Sequence, residues 1–79
     1  MMNREEILKR LTGVIQEVMC DDTLEVTEES TLMDELGLDS LEAMELIMSV
    51  EGEFGVTIPE TEIGNFTCVK DFIDYLEQN

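Results

Sequence analysis

The sequence predicts an all-α fold: a four-helix bundle of three longer helices and one short helix, with a long loop between helices 1 and 2. Three observations carry this. Apolar residues recur at helical spacing in three stretches, each preceded by a capping residue. No stretch shows a convincing strand pattern. The chain has 79 residues, room for one domain spanning 1–79 around one core, and a domain of that size buries only about 60% of its unfolded surface.

Ile7, Leu8, Leu11, Val14, Ile15, Val18 and Met19 place the first helix from about Asn3 to Met19. Asn3 is its cap, and Glu5 and Glu6 lie in the first turn, where acids suit the helix dipole. Gly13 inside it costs about 1 kcal/mol against alanine. Residues 20–38, CDDTLEVTEESTLMDELGL, show no sustained period. They predict a long loop pinned by Leu24, Val26, Leu32, Met33 and Leu36, with a helical turn near Met33 and a turn signal at Gly37. A loop this long in so small a domain points to function.

The second helix runs from Ser40 to Phe54. Asp39 followed by Glu42 is a relative of the capping box, and Gly55 ends the helix. Val56 and Ile58 are expected as buried linker residues. Pro59 suits the first position of a short helix, PETEI, stopped by Gly64 and Asn65. Thr67 caps the last helix, whose Val69, Phe72, Ile73 and Leu76 share one face.

Twenty acidic residues face four basic ones, with no histidine, for a net charge of −16. A hydrophobic content of 43% separates the chain from a disordered acidic tail. Its charge opposes binding to phosphate backbones and favours basic protein surfaces as partners. No run is long enough to span a membrane, and the stretch MMNREEILKRL lacks the apolar segment of a signal peptide. A cytoplasmic monomer is expected. Cys20 and Cys68 match no metal spacing and are expected as reduced thiols acting as small buried hydrophobes. A calcium loop starting at Asp21 would need glycine where Val26 stands and glutamate where Leu32 stands, so no metal is expected.

At 100° per residue, Ala43, Leu46, Ile47, Val50 and Phe54 fall on the core face of the second helix. Leu41, Met44 and Met48 fall nearly opposite, flanked by Glu45 and Glu51, with Glu42 beyond Glu45. Either the long loop folds over this second stripe, or it is an exposed docking patch. Methionines would make such a patch adaptable, and its acidic rim would steer partners.

Ser40 stands in LGLDSLEAMEL, residues 36 to 46, at the opening of this helix. It is either an ordinary first-turn serine or a residue on which another enzyme acts. A nucleophilic serine needs a base. With no histidine, no phosphate-cradling glycine loop and no metal-ligand set, an enzyme is the poorest reading. A phosphodiester on Ser40 would sit at a helix N-terminus, where N–H groups and the dipole favour an anion. Asp34, Glu35, Asp39 and Glu42 would repel it.

Leu36-Gly37-Leu38-Asp39-Ser40-Leu41 resembles the attachment motif of the acyl carrier proteins, which hold phosphopantetheine on the motif serine. The resemblance covers nearly the whole chain, including the acidic helix ending in Glu53-Phe54, the Ile58-Pro59 step and Asp74-Tyr75-Leu76. It implies that Ser40 bears a covalent phosphopantetheine and that Asp39 is the acid read by a phosphopantetheinyl transferase. It implies a recognition helix of Leu41, Glu42, Met44, Glu45, Met48 and Glu51 for acyl-transferring and chain-extending enzymes. The carried chain would tuck against residues such as Leu46, Ile47, Val50, Phe54, Ile63 and Tyr75. Leu38 replaces a residue usually small in carriers of primary fatty acid synthesis, Gly52 interrupts the usual acidic run, and EVTEESTLM lacks a common phenylalanine, with Leu32 nearby. These departures point to a side pathway of polyketide, lipid or secondary-metabolite assembly. A peptidyl or aminoacyl carrier shares the serine but more often has glycine where Leu38 stands. An unmodified acidic adaptor is the alternative from another class, and would gain no mass beside a phosphopantetheinyl transferase.

Overall fold

The computed structural model describes residues 2–79. Met1, at the head of the expected domain and of the charged N-terminal stretch, lies outside the described residues. Four helices follow in order: α1 Arg4–Met19, α2 Ser40–Phe54, α3 Glu60–Ile63 and α4 Val69–Gln78. The all-α bundle and its long first loop are as the sequence predicts. No helix among the described residues is long and apolar enough to cross a membrane.

The first helix starts where its cap dictates, with Asn3 Oδ1 accepting the Glu6 N–H at 2.8 Å. It packs on α2 and α4 through Ile7, Leu11 and Ile15, spaced four apart and all buried. Leu46, Ile47 and Val50 of α2 meet them, with Val69, Phe72, Ile73 and Leu76 of α4. The loops supply the rest of the core: Leu32, Leu36, Leu38 and Ile58 are also buried.

The 20–38 loop is held by main-chain bonds as well as by leucines. The first N–H groups of a helix have no partner inside it, and here the loop provides them. Val69 N–H donates to the Ser30 carbonyl at 3.0 Å and Lys70 N–H to the Glu28 carbonyl at 2.8 Å. Leu32 N–H donates to the Thr67 carbonyl at 3.0 Å, and a lone antiparallel bridge joins Thr31 to Cys68. The loop therefore stays beside α4. Both arginines brace the same assembly. Arg4 pairs with Glu28 of the loop and with Asp74 and Glu77 of α4. Arg10 pairs with Glu53 at 2.9 Å and lies over the Phe54 ring at 4.8 Å.

Several local expectations need correction. The backbone near Met33 forms a turn and no helix, because Leu36 N–H reaches the Thr31 carbonyl and Leu38 N–H the Leu32 carbonyl, spans wider than a helical turn. Met33 does not pin the loop; it is 54% exposed. Pro59 is the cap of α3 and lies outside the helix. Val56 is only half-buried. Cys68, not Thr67, caps α4, since Thr67 is drawn back by bonds from its N–H and hydroxyl to Asp71. Cys20 is exposed: it ends α1 in the left-handed conformation at φ 55°, a helix-ending position more often filled by glycine. Cys68 is half-buried.

Burial of Asp71 opposes its charge, but hydrogen bonds from the Cys68 and Thr67 N–H groups, the Thr67 hydroxyl and the Cys68 thiol outweigh it. Together they hold its pKa below the ordinary carboxylate value. A depressed folded pKa adds stability that is complete above about pH 4 and is lost as pH falls through the folded value. Asp71→Asn should lower neutral-pH stability by at most about 1 kcal/mol and flatten the acid limb. Urea melts from neutral to acid pH check this, and parallel wild-type and variant curves would contradict it.

Candidate functional site

The site is built on the start of α2. Asp39 Oδ1 accepts the Glu42 N–H at 2.8 Å, and Glu42 Oε1 accepts the Asp39 N–H at 3.0 Å. This reciprocal capping box does the work that a first-turn serine could otherwise do. Ser40 is exposed, and among the described residues its hydroxyl makes no hydrogen bond to protein. The other two serines differ. Ser30 is buried and its Oγ accepts the Thr27 N–H at 3.0 Å, while Ser49 lies half-buried in the middle of α2. Ser40 is thus the serine open to another protein.

Beside Ser40 opens a cleft of about 580 Å³ between α2, the 31–34 turn and the segment after α3. Met33, Met44, Ile47, Ile63, Phe66 and Phe72 supply its apolar lining, with Asp34 and Ser40 also on it. Of the expected pocket residues, the structure brings Ile47 and Ile63 to this cleft. Leu46 and Val50 are fully buried against the other helices. Phe54 lines a separate hollow with Met2, Val56 and Leu76, and Tyr75 lines another with Glu62 and Asp74. Helical period alone could not tell these apart, because residues on one core face point to different neighbours along the helix. Sequence reasoning missed Phe66, Phe72, Met33 and Ala43 as cleft residues. The available signal at Phe66 was a lone aromatic just after Gly64-Asn65.

The second stripe of α2 is uncovered. Leu41, Met44 and Met48 are 72%, 49% and 68% exposed, so the loop does not fold over them. Their acidic neighbours are not equivalent. Glu45 is exposed, but Glu42 is committed to the capping box. Glu51 Oε2 accepts the Ile58 N–H at 2.8 Å and so holds the linker to α3. Gly52 leaves α2 unbroken to Phe54.

No lysine or arginine stands between Arg10 and Lys70, and both arginines are paired within the fold. The field over the start of α2 is consequently that of uncompensated carboxylates. No metal-binding cluster of His, Cys, Asp or Glu occurs among the described residues.

A family model described as "Phosphopantetheine attachment site" matches residues 9–76. The chain is 38% identical over 78 residues to an acyl carrier protein of Thermotoga maritima, covering 99% of this chain and 96% of that one. It is 39% identical over 75 residues to an acyl carrier protein of Acidothermus cellulolyticus, covering 95% and 89%. A solved Mycobacterium tuberculosis chain assigned as an acyl carrier protein superimposes with a TM-score of 0.82 at 28% identity, over 89% of this chain and 93% of that one.

Self-repulsion among the carboxylates predicts a measurable response to cations. Millimolar magnesium, or added sodium chloride, should raise the melting temperature by several degrees in calorimetry. A flat response would show that the acidic surface does not strain the fold.

Proposed function

The chain belongs to the acyl carrier protein family and carries a covalent phosphopantetheine, and from that premise we propose that Ser40 is its point of attachment. The observation that supports this most is the freedom of the Ser40 hydroxyl beside a filled cap: Asp39 and Glu42 satisfy each other and leave it exposed. The residues present fit such an arm. The N–H groups of Ser40 and Leu41 lie in the first turn, without intrahelical acceptors, where an anion is favoured. The apolar cleft opens next to the hydroxyl. When attached, the arm supplies a terminal thiol on which acyl groups ride as thioesters.

The rest of the work falls to the chain's own side chains. Asp39 fixes the helix start and so the direction in which Ser40 points, and is the acid that a phosphopantetheinyl transferase reads. Leu41, Met44 and Met48 dock against an apolar patch on partner enzymes that load, extend or remove the cargo, and their flexible thioethers adjust to more than one partner. Glu45 and the surrounding carboxylates speed encounter with basic surfaces. Glu42 and Glu51 contribute charge there while serving the fold. The chain works as one carrier domain over 1–79, as a monomer, and performs no reaction itself.

Ser40→Ala should fold as the wild type by circular dichroism and gain no mass when co-expressed with a phosphopantetheinyl transferase. Acylation of that variant would move the attachment elsewhere. Glu45→Lys should slow association with a basic partner enzyme severalfold at low salt and weaken its salt dependence, read by stopped-flow binding. An unchanged association rate would remove Glu45 from docking.

A further inference from the structure

We propose that Phe66, half-buried, sets how long an acyl chain the protein can shelter, by walling off the cleft beside Ser40 from the acidic hollow next to it. This rests on Ser40 as the point of attachment. The cleft has an outer lip of methionines, Met33 and Met44, both about half exposed, and reaches inward to Phe72, which is 1% exposed. No lysine or arginine lines it, and Asp34, its one carboxylate, is exposed. An uncharged aliphatic chain suits such a space, whereas a chain ending in a carboxylate would find no counter-charge there.

Phe66 borders two spaces at once. It lines the 580 Å³ cleft, and it also lines a hollow of about 220 Å³ whose other walls include Glu62, Asp71 and Asp74. One side chain therefore divides an apolar space from an acidic one. The ring is held on both sides. It stacks on Phe72 with centroids 4.4 Å apart and planes 15° apart. Tyr75 meets it edge-on at 5.8 Å and 82°, and the Tyr75 hydroxyl donates to the Thr57 carbonyl at 3.2 Å. The methionine lip is different: unbranched and exposed, it can yield to an entering chain. A chain passes a pliant entrance and ends on a fixed aromatic wall. Each methylene buried before the wall favours the sheltered state by up to about fourfold. Those beyond it remain in water or meet carboxylates.

The test loads the chain with butyryl, hexanoyl, octanoyl, decanoyl and dodecanoyl arms, using the matching acyl-coenzyme A and a phosphopantetheinyl transferase. Melting temperature and hydroxylamine cleavage rate are measured for each. In the wild type, melting temperature should rise and cleavage slow with chain length up to a limit, then level off. Phe66→Ala should move that limit at least two carbons longer, and Phe66→Leu, the milder change, should move it in the same direction. A limit at the wild-type length in a folded Phe66→Leu protein would overturn the proposal, as would a wild-type series with no dependence on chain length. A Ser40→Ala chain that gains the same intact mass on loading would instead overturn attachment at Ser40, so the two failures are distinguishable.

Discussion

Everything at the site depends on the capping box that Asp39 and Glu42 make at the start of α2. The box satisfies the helix end one residue before Ser40, so the serine hydroxyl is not consumed in holding the helix. Asp39 reaches this position with an extended backbone, φ −90° and ψ −178°. The loop can deliver it because Gly37 adopts φ 80°, a conformation that costs glycine little. Leu36 and Leu38, on either side of that turn, are both buried, at 5% and 3% exposure. The core thus grips the loop just before the cap, and the cap in turn frees the serine.

A second constraint is the scarcity of positive charge. Arg4 ties α1 to the loop and to α4, and Arg10 ties α1 to the end of α2. Each arginine is spent on holding elements together. What remains around α2 is a surface of carboxylates interrupted by Leu41, Met44 and Met48. In the proposed role, such a charge disfavours self-association and draws basic partners, while the apolar stripe offers the contact area that charge alone does not. Glu51 shows a carboxylate of this surface put to structural use: it holds the Ile58 N–H while adding to the negative charge along α2.

Much of this was legible in the sequence, for identifiable reasons. Helices with an amphipathic period and a capping residue could be bounded to within a residue or two, as for α1 and α2, because both signals are local. That Leu41, Met44 and Met48 form a second apolar stripe followed from angle alone; that the long loop leaves them uncovered did not, and only the packed structure decides it. What failed was set by contacts between distant segments. The cap of α4 passed from Thr67 to Cys68 because Asp71 and the loop compete for the backbone there. The members of the cleft could not be chosen from a helical wheel, because the 31–34 turn and Phe66 complete it. Cys20 was misjudged because composition favours buried cysteine, and only the backbone shows it ending a helix in the left-handed region.

The central claim is that the freed hydroxyl of Ser40 bears the arm. Its most direct test is fragment-ion mass spectrometry of the wild-type chain after co-expression with a phosphopantetheinyl transferase, which assigns the added mass to a residue. The expected result is the whole addition on Ser40, with Ser30 and Ser49 bare. An addition on Ser49, on Ser30 or on a threonine, with Ser40 unmodified, would contradict it.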